Sequence, residues 1–319
     1  MSDTSAITHR HITVNGLRMQ IAEQGRGPLV LLLHGFPESW YSWRHQFGPL
    51  ADAGYRVVAP AQRGYGETDR PESVDQYTIL HLAGDVINLI HALGETEATV
   101  IGHDWGAPVA WHTALFRPDL VRGVAALSVP PPTHTPVPPL RELEERFGPD
   151  FYQIYFQQPG IVDAELEKDP VDTFRRFLVG ISAAGTLVPG NGFLDRYPTV
   201  ESLPDWLSDE DIDTYANQYA PYGFTGGLNW YRNIDRNWEL TTPWAEARIT
   251  PPALFITGDS DPVRTFSTPN FLDRLPDQAP DLRGVVDLSD CGHWTQQEKP
   301  DEVTTALLDF VDQVHNGRH

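Results

Sequence analysis

Two hydrophobic patterns divide the chain, one interrupting the other. Leu29-Val30-Leu31-Leu32-Leu33 is an unbroken apolar run of strand length, the form a strand takes when helices cover both faces of a parallel sheet. Residues 56–59, 98–101, 121–127, 253–257 and 284–288 read as further strands. Between them lie stretches of helical periodicity. One covers 77–93 and stops at Gly94, one covers 107–115 with Pro108 in the tolerant first turn, and one covers 300–314. Near the start, Ile12-Thr13-Val14 and residues 17–21 flank Asn15-Gly16, the dipeptide of a type I′ hairpin. Strand alternating with helix predicts an α/β fold on a largely parallel sheet.

The second pattern begins at Pro130-Pro131-Pro132 and runs through Pro136, Pro138 and Pro139, a stiff connector that cannot be helical. From about residue 142 to 237 no strong strand signal occurs. Short helices are predicted over 150–157, 170–180 and 208–219, the last with Ser208 and Asp211 spaced as a capping pair. The expected organisation is an α/β core over 1–133, a helical cap with a proline-rich entry over 134–240, and the rest of the core over 241–319.

Composition narrows the functional classes. With 319 residues, 40% hydrophobic and 11% aromatic, the chain can bury a large core. A net charge of −21 argues against nucleic acid and anionic membrane as partners, since both demand a basic face. Cys291 is the single cysteine, so no intrachain disulfide can form. The first residues show no basic then apolar signal pattern, and no apolar run reaches membrane-span length, so a cytoplasmic location is expected.

The candidate chemistry starts at Gly102-His103-Asp104-Trp105-Gly106, placed between a predicted strand and a predicted helix. Strand, sharp turn and helix is the setting of a nucleophile elbow, with glycines two residues either side of the exposed side chain. Here that side chain is a carboxylate. A carboxylate that attacks a saturated carbon leaves an ester, which water can cleave, whereas a serine would leave an inert ether. The expected reaction is displacement at an sp³ carbon followed by hydrolysis. A base and an orienting acid are then required, in the chain order nucleophile, acid, histidine. His293 follows the strand at 284–288 and is the candidate base. Asp261 follows the strand at 253–257, with Asp259 open as the alternative acid in the same loop. His34-Gly35-Phe36-Pro37 follows the strand at 29–33, which nominates the Phe36 and Trp105 amides as an oxyanion hole; Pro37 would fix the loop, in cis or in trans. No metal-ligand spacing and no phosphate-cradling glycine loop is present, so neither metal nor cofactor is expected.

These residues together resemble the α/β-hydrolase family and, within it, the soluble epoxide hydrolases of the mycobacterial type. The resemblance rests on His34-Gly35-Phe36-Pro37-Glu38-Ser39-Trp40, Arg63-Gly64-Tyr65-Gly66, Gly102-His103-Asp104-Trp105-Gly106 and Asp290-Cys291-Gly292-His293-Trp294. Two stretches of the helical insertion join them, residues 151–156 and 229–233. The resemblance implies a mostly parallel eight-stranded sheet with an inserted helical cap, a small apolar epoxide as substrate, and Asp261 as the acid. It also implies that Tyr152 and Tyr231 activate the epoxide oxygen; Tyr155 stands in for Tyr152 if the helix register differs. Phe36, Pro37, Trp40, Trp105, Trp230 and Trp294 are the expected walls of an apolar pocket. A homodimer is carried as an expectation. The competing readings are a dehalogenase with the same nucleophile, disfavoured by Phe36-Pro37 where halide donors are wanted, and a non-catalytic binder of small apolar ligands.

Overall fold

The computed structural model describes residues 6–182, 192–197, 199–267 and 270–317. Eight strands form one sheet: β1 (Thr8–Val14), β2 (Leu17–Gly25), β3 (Leu29–Leu33), β4 (Arg56–Pro60), β5 (Ala98–His103), β6 (Val121–Leu127), β7 (Ala253–Gly258) and β8 (Leu282–Leu288). Their order is β1-β2-β4-β3-β5-β6-β7-β8. The β1/β2 and β2/β4 pairs are antiparallel, and every other pair is parallel. The first hairpin turns where the sequence predicts, with Asn15 (φ 50°) and Gly16 (φ 79°) both left-handed as a type I′ turn demands.

β3 shows why its residues are continuously apolar. Val30 and Leu32 face Phe47, Leu50, Leu307 and Phe310, from helices Arg44–Asp52 and Pro300–Asn316. Leu31 and Leu33 face the opposite layer, with Leu82, Val86 and Trp111 from helices Ile79–Ala92 and Gly106–Phe116. Burying one such side chain contributes about 1.5–3 kcal/mol, so both faces of the strand are committed. Because β3, β5, β7 and β8 run in one direction, the loops after Leu33, His103, Gly258 and Leu288 all emerge on one rim.

Among the described residues, no strand lies between β6 and β7. Helices Pro139–Phe147, Tyr152–Tyr155, Ile161–Glu167, Pro170–Ser182, Asp209–Tyr219, Thr225–Tyr231 and Ile234–Thr241 fill that interval. The helix expected over 150–157 is only Tyr152–Tyr155; Pro159 disfavours helical backbone just before it. The Ser208 capping pair forms: Asp211 N donates to Ser208 Oγ at 3.1 Å and Ser208 N to Asp211 Oδ2 at 2.8 Å. Thr225–Tyr231 has no helical signature because Gly226 and Gly227 each cost about 1 kcal/mol in a helix; its packing supplies what propensity does not.

These helices are fastened over the rim. Trp294 Nε1 donates to the Leu178 carbonyl at 2.8 Å, and Tyr219 Oη to the Glu38 carbonyl at 2.8 Å. Tyr215 Oη donates to Gln297 Oε1 at 2.9 Å, and Tyr41 Oη to Asp211 Oδ1 at 2.9 Å. Among the described residues, no helix is long and apolar enough to cross a membrane.

Candidate active site

Asp104 follows β5 directly and leads into helix Gly106–Phe116. The glycines either side of Asp104 permit the bend without themselves being left-handed. The left-handed residue is Asp104 itself, at φ 48°. The glycines serve close approach: a Cβ on Gly102 would lie 2.1 Å from the Gly106 carbonyl oxygen, and one on Gly106 2.1 Å from that of Leu33. Aspartate tolerates this backbone better than most residues. The turn lifts its side chain out of the sheet, leaving it 13% exposed beside fully buried neighbours.

Three carboxyl-end loops converge on it. Phe36 N donates to Asp104 Oδ1 at 2.7 Å, with the Phe36–Pro37 bond cis. The Trp105 amide heads the helix that follows. His293 Nε2 stands 3.4 Å from Asp104 Oδ2, and its Nδ1 lies 3.1 and 3.2 Å from the two oxygens of Asp261. Asp259 does not reach the histidine. It accepts bonds from Asp290 N and Cys291 N, so it braces the loop that carries His293.

Burial and charge act against each other here. Burial works to lower the His293 pKa, but the Asp261 charge and the Asp104 hydrogen bond outweigh it and hold the imidazole well above its ordinary value. For Asp104, burial pushes upward, and the His293 hydrogen bond and charge, with His103 and the Phe36 amide, pull the carboxyl below its usual value. The two groups form a coupled ion pair.

Tyr152 and Tyr231 close the site from above, their ring centroids 6.0 Å apart. Tyr231 packs edge-on against Phe36 at 5.5 Å and Trp105 at 5.1 Å. Burial, reinforced by the Asp104 charge, raises both phenol pKa values above the ordinary range. Gln153 Nε2 donates to the Tyr152 oxygen at 2.8 Å. Tyr155 is turned away, bonded to Glu165 Oε2 at 3.1 Å under the Arg196 guanidinium.

The expected walls sort differently. Phe36, Trp230 and Trp294 are fully buried packing residues around the site. Trp294 lies 4.7 Å from the His293 ring, and Trp230 6.0 Å from Trp105. Trp40 is a correction. Its ring packs on His9, Tyr41 and Phe47, beside the layer on the far side of the sheet. Trp105 also borders a cleft of about 480 Å³, shared with Pro108, His112 and Trp238 and not with Asp104.

One feature escapes sequence reasoning. Glu38, wholly buried, accepts from Gly35 N at 2.9 Å and from Gln296 Nε2 at 3.0 Å, and bonds His103 Nδ1 at 2.8 Å. His103 Nε2 in turn bonds the His293 carbonyl at 2.7 Å. A charged residue with such partners ties the loops after β3, β5 and β8 together. Nothing local in the sequence separates it from a surface glutamate.

Comparison with known proteins agrees with this architecture. Residues 28–300 match the alpha/beta hydrolase fold family. Epoxide hydrolase A of Mycobacterium tuberculosis is 47% identical over 317 residues, covering 96% of this chain and 98% of its own. Epoxide hydrolase 3 of Siraitia grosvenorii is 43% identical over 314 residues, covering 96% and 98%. The crystal structure of epoxide hydrolase A from Mycobacterium thermoresistibile superposes with a TM-score of 0.92 at 46% identity, over 96% of this chain and 98% of that one. The chain belongs to the α/β-hydrolase fold family and, within it, to the epoxide hydrolases.

Proposed function

We propose that this chain converts an epoxide and water to a vicinal diol through an ester on Asp104. The observation that carries the reading is the pair of phenols over that carboxylate. Burial and the Asp104 charge hold Tyr152 and Tyr231 protonated, so each phenol can act as a donor. Opening an epoxide develops charge on oxygen, which a protonated phenol stabilises and a halide would not need. The helical segment over 134–240 acts as the cap that brings both phenols to the core.

Asp104 attacks an epoxide carbon as its bond to oxygen breaks, and a tyrosine delivers the proton. The product is a hydroxyalkyl ester. Esterification removes the Asp104 charge, one of the two that hold His293 protonated. The imidazole pKa falls accordingly, so His293 gives up its proton, which restores the tyrosine hydroxyl through solvent, and the neutral ring then takes a proton from water. That water attacks the Asp104 carboxyl carbon, the Phe36 and Trp105 amides hold the oxyanion, the diol leaves with the proton from His293, and the proton of the regenerated carboxyl passes to His293 to restore the ion pair. Asp261 fixes the tautomer. The substrate is a small apolar epoxide, consistent with the rings of Phe36, Trp105, Tyr152 and Tyr231 gathered beside Asp104.

A single turnover in heavy-oxygen water tests the scheme. The first diol should be unlabelled and Asp104 should acquire the isotope. Label in the first diol, with Asp104 unlabelled, would mean direct attack of water on the epoxide. Chloride release from alkyl halides, without diol from epoxides, would instead favour a dehalogenase.

A further inference from the structure

Residues 63–66 take no part in the chemistry above, yet the helix carrying Tyr231 is seated on them without room for another carbon. A Cβ on Gly226 would lie 2.1 Å from the Gly64 carbonyl oxygen, and one on Gly64 would lie 2.8 Å from Gly226 Cα. Gly227 is equally tight: its Cβ would stand 2.6 Å from both the Tyr65 hydroxyl and the Phe36 ring. Trp230 Nε1 donates to the Arg63 carbonyl at 3.1 Å, and Asn233 Nδ2 to the Val74 carbonyl at 2.6 Å. Two adjacent glycines weaken a helix of seven residues, so their use here is close backbone approach.

The two phenols are held in different ways. Six residues of Thr225–Tyr231 are buried, whereas Tyr152–Tyr155 has none. We infer that Gly226, pressed against Gly64, is a positioning residue that sets Tyr231 at its working height over Asp104, with the turn at 63–66 as its fixed seat. Tyr231 is thereby preset by the core. An alanine at 226 must lift the helix, because 2.1 Å falls about 1.2–1.5 Å short of the ~3.3–3.6 Å at which carbon and carbonyl oxygen ordinarily meet. A displacement on the order of 1 Å costs about 100-fold when it misplaces a reacting group.

The inference rests on Tyr231 as proton donor, and the test separates the two. Rapid quench with mass measurement of the Asp104 peptide gives the rates of ester formation and ester breakdown. Gly226→Ala should slow formation by roughly 10- to 100-fold and leave breakdown within about twofold. Trp230→Phe, which keeps a ring and loses the N–H, should slow the same step by about 5-fold, a hydrogen bond's usual worth. In a Tyr231→Phe background Gly226→Ala should add nothing, since its effect passes through that hydroxyl. Gly48→Ala, at a glycine with open space around it, should change neither rate. Equal slowing of both steps, or full additivity with Tyr231→Phe, overturns the inference. If Gly226→Ala does not fold, Trp230→Phe and its cycle with Tyr231→Phe decide in the same way. An impaired Tyr231→Phe beside an unimpaired Gly226→Ala sinks the positioning role alone; a fully active Tyr231→Phe removes the underlying reading as well.

Discussion

Asp104 occupies a left-handed backbone position that suits glycine better than any residue with a side chain. A stability comparison exposes that strain. Asp104→Gly and Asp104→Ala should both be inactive, with the glycine variant more stable by about 1–2 kcal/mol in denaturant melts. The same aspartate couples to His293, which gives the pH behaviour its sign. In the proposed mechanism, formation of the ester needs Asp104 ionised, and its lowered pKa carries that ability below the ordinary carboxyl range. Breakdown needs neutral His293, so it fails as pH falls through the imidazole pKa of the ester. Acidification should therefore make the ester accumulate, read as added mass on Asp104. His293→Gln should trap it at every pH. Raised phenol pKa values place any alkaline loss from tyrosine ionisation above about pH 10.

At the scale of elements, the best-signalled helix of the insertion is Asp209–Tyr219, whose capping box forms as its sequence indicates. Ser208→Ala should lower stability by about 1 kcal/mol, measured as a shift in the thermal midpoint. Activity should persist below that midpoint, because Tyr215 and Tyr219 keep their own anchors on Gln297 and Glu38. Helix Thr225–Tyr231 is the reverse case. Its glycines read locally as a break, and only the core turn beneath explains why it is helical. The strands were legible because a fully covered sheet demands long apolar runs; β8 begins at Leu282, ahead of residue 284, because its alternate residues face solvent and blur the signal.

For the whole molecule, a net charge of −21 means self-repulsion at low salt. Raising ionic strength from about 0.01 to 0.15 M shortens the screening length from about 30 to 8 Å. The melting temperature should therefore rise with salt, and a fall would show that ion pairs such as Arg44–Asp211 outweigh the repulsion. The buried pair Arg232–Asp163 gives a second dependence. Burial opposes ionisation of Asp163, but Arg232 wins and lowers its pKa, so this stabilisation is complete above the ordinary aspartate value and is lost as pH drops through the lowered one.

Residue types and their order determine the sheet, the elbow, and the placing of Asp104, Asp261 and His293 after β5, β7 and β8, because each signal is local: apolar runs, turn glycines, a carboxylate at the bend. That Asp261 and not Asp259 meets His293, and that Tyr152 and not Tyr155 faces Tyr231, emerges only where loops distant in the chain meet in space. So does the place of Trp40, since the short 3-10 turn Trp40–Trp43 carries its ring onto His9 and Phe47, away from Asp104. The Glu38–His103 link and the seat of Tyr231 on Gly64 depend on contacts across 65 and more residues, and no short window of sequence contains them.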